Sequence, residues 1–178
     1  FEKTLIEKTI DGGGKNKAYT TGLDSRFFPL VKKILDSELV PIIGEYKIHV
    51  AMLLEAMIPW VPHDDYQKGD ENPGYGVIIP LETTESHTVV FNEMMTYDNL
   101  EKFKEIHPVQ ENNAAYLHDS ILSHVPVDDL KYLTVKELAK WDRGNLIVFD
   151  RKSIHCSDDF RNAGVGMKRG IVLFLSKP

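Results

Sequence analysis

His63 and Asp65 stand two residues apart in Pro62-His63-Asp64-Asp65-Tyr66, and His155 lies far downstream in Ile154-His155-Cys156. Side chains at i and i+2 of an extended segment share a face. One face then carries an imidazole and a carboxylate. Completed by His155, the set places two nitrogens and one oxygen on one side of a divalent ion, an arrangement suited to non-haem Fe(II). The remaining coordination positions stay open for small molecules. Asp64 falls on the opposite face and reads as solvated or supporting. Random placement of the chain's histidines and aspartates yields about half of one His-x-Asp. The tripeptide therefore draws its weight from the elements that position it.

Those elements are mostly strands. Tyr46, Ile48, Val50, Met52 and Leu54 recur with period two, while Lys47, His49 and Glu55 take the alternate positions, so 45–58 reads as a strand. Pro59 and Pro62 flank Trp60 and Val61 and keep the chain extended as it reaches His63. A dense turn signal at 68–74 precedes two short apolar runs, Tyr75 to Leu81 and Thr88 to Phe91, which read as an antiparallel meander. Trp141-Asp142-Arg143-Gly144 makes a turn before the apolar strand 145–150, which ends just short of His155. Gly170 to Leu175 is a last strand, led by Lys168 and Arg169. One early helix carries Phe27, Val31, Ile34, Leu35 and Leu39 on one side, with Asp24 or Ser25 as its cap and Pro29 near its start. A second helical segment is expected at 99–106, and residues 94–130 read as an insertion or lid. Gly12-Gly13-Gly14-Lys15 lacks the spacing of a phosphate-binding loop and reads as a turn. One helix followed by many short strands, with no alternating helix and strand units, points to a sandwich or jelly roll.

At 178 residues the chain fits a single domain over 1–178. The lone Cys156 excludes an internal disulfide framework and makes a reducing, cytoplasmic setting the simplest one. No apolar run approaches the roughly 20 residues of a membrane span. Phe1-Glu2-Lys3 carries neither an initiator Met nor a signal-peptide pattern, so the start reads as trimmed. A net charge of -6 spread over mixed-sign segments argues against nucleic acid as a partner. A small-molecule or peptidyl substrate is expected instead, and a homodimer stays open.

With His63-Asp64-Asp65, His155 and Lys168-Arg169 in this order, the chain resembles the Fe(II)/2-oxoglutarate-dependent oxygenases. Within them it is most similar to the small prolyl-hydroxylase-like members, through Gly144 to Asp158. The likeness spans 45–93 and 131–176. It implies a mainly β fold, a double-stranded β-helix (cupin-like jelly roll) with flanking α-helices. It further implies that His63, Asp65 and His155 hold Fe(II), with 2-oxoglutarate and O₂ as cosubstrates and hydroxylation with release of succinate and CO₂ as the reaction. The cosubstrate's far carboxylate needs a cation, and neighbouring strand residues face opposite ways, so only one of Lys168 and Arg169 can serve. Arg169 is preferred for its bidentate fork. Where the family often places Ser or Thr two residues after the cation, this chain has Ile171 after Arg169 and Gly170 after Lys168. Two other readings share the barrel: a cupin-type metalloenzyme, as an isomerase or a 2-oxoglutarate-independent oxygenase, and a non-catalytic small-molecule-binding cupin.

Overall fold

The structure is a computed structural model and describes residues 4–9, 15–66, 73–95, 100–110 and 113–177. The turn at 12–14, most of the turn at 68–74 and the polar residues 111–112 lie outside the described residues. In chain order the elements are β1 (Thr4–Thr9), β2 (Lys15–Gly22), α1 (Phe28–Ile43), β3 (Lys47–Ala56), β4 (Pro73–Pro80), β5 (His87–Met94), α2 (Leu100–Ile106), α3 (Ala114–Ser120), α4 (Val127–Leu130), β6 (Val135–Lys140), β7 (Ile147–Asp150), β8 (Ser153–Ser157) and β9 (Lys168–Ser176). The strands form two antiparallel sheets, one in the order β1-β2-β3-β9-β4-β7 and a smaller one in the order β6-β5-β8. From β3 onward the chain passes repeatedly from one sheet to the other. This wrapping is the double-stranded β-helix expected from the sequence.

Three apolar layers follow from this arrangement. Val31, Leu35 and Leu39 of α1 pack on Val77, Leu173 and Leu175 at the outer face of the large sheet. Between the sheets lie Ile78, Val90, Trp141, Ile147, Phe149 and Val172. On the outer face of the small sheet, Val89, Phe91, Ile154 and Cys156 meet Phe103, Ala114, Leu122 and Leu130, which residues 94–130 supply. Each fully buried Leu, Ile or Phe contributes about 1.5–3 kcal/mol through its removal from water. Strands β4 and β9 are therefore apolar on both faces, as sheet strands covered on both sides are.

The sequence reading needs three corrections here. The runs that become β4 and β5 do not form a meander, since β4 pairs with β7 and β9 while β5 pairs with β6 and β8. In β3 the register shifts between Ile48 and Val50. A bulge inserts one extra residue and switches the alternation. Ile48 thereby joins Ala51 and Leu53 against α1, whereas Met52 and Leu54 face the space between the sheets. The helix α1 carries no side-chain cap and begins after Phe27. Asp24 instead accepts a hydrogen bond from the backbone N–H of Arg26 at 2.8 Å and pairs with its guanidinium.

Gly74 lies close against the backbone of β9. A Cβ there would run into the Leu175 carbonyl oxygen and lie 2.8 Å from the Ser176 Cα, both backbone atoms that cannot turn aside. Gly74→Ala should destabilise the protein by about 1–3 kcal/mol, measured as a lower urea midpoint. An unchanged midpoint would show that this end of the β4·β9 pair is not closely packed.

Candidate metal centre

The centre is built on a single backbone exchange. His63 N–H donates to the His155 carbonyl at 3.0 Å, and His155 N–H donates to the His63 carbonyl at 2.9 Å. Residues that exchange both bonds in an antiparallel pair point their side chains to the same face. Two further bonds extend the pairing on either side, from Ser157 N–H to the Trp60 carbonyl at 3.2 Å and from Asp65 N–H to the Arg151 carbonyl at 3.0 Å. The Pro-flanked segment thus runs along β8, on the side away from β5. Asp65, two residues beyond His63, shares its face. Buried Arg151 holds that position by donating from Nε and Nη2 to the Asp65 carbonyl at 3.2 and 2.7 Å.

One ligand atom from each of His63, Asp65 and His155 lies within 4.8 Å of the others, so the structure brings the three residues together. The donor chemistry fits a divalent cation. His63 Nδ1 lies 2.8 Å from the Val61 carbonyl, and His155 Nδ1 lies 3.0 Å from the Ser153 carbonyl. A carbonyl only accepts, so both Nδ1 atoms carry the hydrogen, and the neutral form of each ring presents the Nε2 lone pair. His155 Nε2 then faces Asp65 Oδ2 at 3.5 Å. A lone pair and a carboxylate repel at that distance until a proton or a metal ion sits between them. Asp64 is not part of this cluster.

The centre opens on a cavity of about 160 Å³ between the sheets, lined by Met52, Leu54, Trp60, Ile78, Val172 and Phe174 among others. Lys168 also lines it, while Arg169 does not. Arg169, the preferred cation of the sequence reading, thus lies outside the cavity. Its side chain is 48% exposed on the outer face and pairs with Glu55 at 3.5 Å and Glu82 at 3.4 Å. Lys168 shares the inward parity with Val172 and Phe174, and its side chain is 2% exposed. Its Nζ donates to the His87 carbonyl at 2.8 Å, stands 4.2 Å from the centre of the Trp141 ring and lies 3.9 Å from Asp158 Oδ1. At Gly170, where the oxygenases often carry a hydroxyl, a Cβ would lie 3.1 Å from Trp141 Cζ2, so the indole occupies that space.

No protein-family model matches the chain, and no curated protein sequence matches it significantly. Solved structures do match. An oxidoreductase of the 2OG-Fe(II) oxygenase family from Burkholderia pseudomallei superposes with a TM-score of 0.54 at 14% identity, over 98% of this chain and 73% of that one. SnoN, a non-haem alpha-ketoglutarate-dependent epimerase from nogalamycin biosynthesis, gives a TM-score of 0.57 at 9% identity, over 99% of this chain and 67% of that one. SnoK, an alpha-ketoglutarate-dependent carbocyclase from the same biosynthesis, gives 0.56 at 13% identity, over 97% and 68%. The chain has the fold of these three proteins.

Within that oxygenase fold the other histidines are engaged elsewhere. His49 meets Ser176, His107 stacks on Phe103, and His118 and His124 bond the Val125 and Trp60 carbonyls. Cys156 points away from His155 into the helix-covered layer. Burial pushes its thiol well above the ordinary value, which removes it as a nucleophile. Arg161 bonds the Met57 carbonyl at 3.0 Å. The sequence reading missed the partnership of His87 and Asp158 that borders Lys168. Asp158 Oδ2 accepts from the His87 N–H at 2.6 Å and lies 3.0 Å from His87 Nδ1. These residues are 71 positions apart, and no local pattern announces the pair. Among the described residues, no helix is long and apolar enough to cross a membrane.

Burial pushes Lys168 down to about 8 from its ordinary 10.5, although Asp158 acts to raise it. Between those values the unfolded chain holds more protons than the folded one, so this residue makes stability rise with pH across the window. The stability of Lys168→Met relative to wild type should therefore be most favourable below about pH 8 and decline toward pH 10.5. Urea unfolding at a series of pH values reads the difference, and a constant offset would refute it.

Proposed function

We propose that the chain is a 2-oxoglutarate- and Fe(II)-dependent dioxygenase that hydroxylates its substrate and releases succinate and CO₂. The observation that carries this reading is the convergence of two imidazoles, each fixed through Nδ1, with one carboxylate at the wall of a mostly apolar cavity. Three protein ligands on one side leave open positions for a cosubstrate and O₂. Bound there, Fe(II) together with 2-oxoglutarate and O₂ supplies the oxidising power to attack an unactivated C–H bond. The chain's own residues do the rest. Val61 and Ser153 hold the rings through their carbonyls, and Arg151 fixes the backbone at Asp65. Met52, Leu54, Val172 and Phe174 keep the cavity dry. Lys168 is the inward cation for the far carboxylate of 2-oxoglutarate, and Arg169 stands outside.

Anaerobic addition of Fe(II) and then 2-oxoglutarate should produce a visible charge-transfer band, which forms only when both bind at one centre. His155→Ala should lower metal affinity by at least about a hundredfold and abolish the band and succinate formation. Metal-loaded wild type without the band would reject the cosubstrate assignment. The two cations separate just as clearly. Lys168→Ala should weaken 2-oxoglutarate binding by about ten- to a hundredfold, while Arg169→Ala should change it by less than about twofold. Calorimetry with 2-oxoglutarate on the Mn(II)-loaded proteins decides, and the reverse order of effects would restore Arg169.

A further inference from the structure

Lys168 carries its charge into the space between the sheets beside an acid that does not bond to it. Its Nζ donates to the His87 carbonyl at 2.8 Å and lies 4.2 and 5.5 Å from the centres of the Trp141 and Phe160 rings. Asp158 Oδ1 stands 3.9 Å away. That separation is too long for a hydrogen bond, yet opposite charges in a poorly solvated site attract strongly across it. The acid is itself held in place. Its Oδ2 accepts from the His87 backbone N–H at 2.6 Å and faces His87 Nδ1 at 3.0 Å, and the Asp158 N–H donates to the His87 carbonyl at 3.2 Å. Oδ1 is buried and has no hydrogen-bond partner among the described residues. It therefore faces the ammonium without occupying any of its N–H donors. The neighbouring charges are engaged elsewhere. Lys140, opposite His87 on β6, lies 3.8 Å from Glu85 and 3.9 Å from Asp142. Arg169 pairs with Glu55 and Glu82, and Asp159 accepts from Ser123. Burial holds the Cys156 thiol neutral.

We propose that Asp158 is a positioning residue for the cosubstrate, keeping Lys168 protonated while leaving the ammonium's donors open to the far carboxylate of 2-oxoglutarate. This rests on the role given to Lys168 above. Burial alone drives a lysine toward its neutral amine, and Asp158 acts against that burial. With the acid removed, Lys168 gives up its proton at a lower pH, and a neutral amine offers a carboxylate no counter-charge. While Lys168 stays protonated, the same removal costs 2-oxoglutarate nothing, because it also takes away an anion from beside the incoming carboxylate. The loss is therefore specific to high pH.

Calorimetry of 2-oxoglutarate binding to the Mn(II)-loaded proteins at pH 6.5 and 8.5 tests this. The affinity of Asp158→Asn relative to wild type should fall by at least about fivefold between the two pH values. Asp159→Asn, which removes the neighbouring acid, should keep a constant ratio. An equal loss at both pH values for Asp158→Asn, no loss at pH 8.5, or the same fall in Asp159→Asn would overturn the inference alone, provided that Lys168→Ala binds 2-oxoglutarate more weakly than wild type. If Lys168→Ala binds it as wild type does, the role of Lys168 fails and the inference with it. A second measurement needs no variant. In two buffers of different ionisation enthalpy at pH 7, wild type with its lysine already charged should take up less than about 0.3 proton per 2-oxoglutarate bound. Uptake of a full proton would overturn the proposal.

Discussion

The molecule depends on two backbone hydrogen bonds exchanged between His63 and His155. Together with the flanking bonds at Trp60 and Asp65 they hold the Pro-flanked segment beside β8 and set the two imidazoles next to each other. With them, strand geometry does the remaining work: the pair fixes both histidines on one face, and the period of two brings Asp65 to the same face. The ring orientations follow locally, since each Nδ1 finds the carbonyl two residues back in its own segment. The centre is thus specified almost entirely by main-chain geometry, and the large sheet and α1 serve to hold its second wall in place.

That dependence explains which parts were legible in the sequence. The shared face of His63 and Asp65 was legible because proline on either side of Trp60-Val61 forces an extended chain, and the extended chain has only one periodicity. His155 could be assigned because an apolar strand precedes it. The jelly roll was legible for the same reason, as many short strands with turns between them. The choice between Lys168 and Arg169 was not legible. Strand β9 is covered by α1 on one face and by the second sheet on the other, so its apolar residues carry no alternation from which to read a direction. A preference for the guanidinium fork then chose the neighbour that faces outward.

The remaining misses share a cause in long-range pairing. The bulge at Ile48 and Val50 is a property of the β3·β9 register, which no single strand encodes. The separation of β4 from β5 into different sheets depends on β7 and β8, far down the chain. The meeting of His87 and Asp158 beside Lys168 likewise exists only after β5, β8 and β9 have assembled. Local pattern located the chemistry, while its surroundings were set by contacts between distant segments.

Strand β8 carries one more consequence. Along it the side chains alternate, with His155 turned to the centre and Ile154 and Cys156 turned to the helical layer. A slip of one residue exchanges the two sets. The imidazole would then be pressed into the apolar layer, and a neighbour's side chain would take its place beside His63 and Asp65. If that neighbour were Cys156, the donor set would change from two nitrogens and an oxygen to one nitrogen, one oxygen and a sulfur, a softer combination that favours different metals. The donor set is therefore written into strand register as much as into the choice of residues.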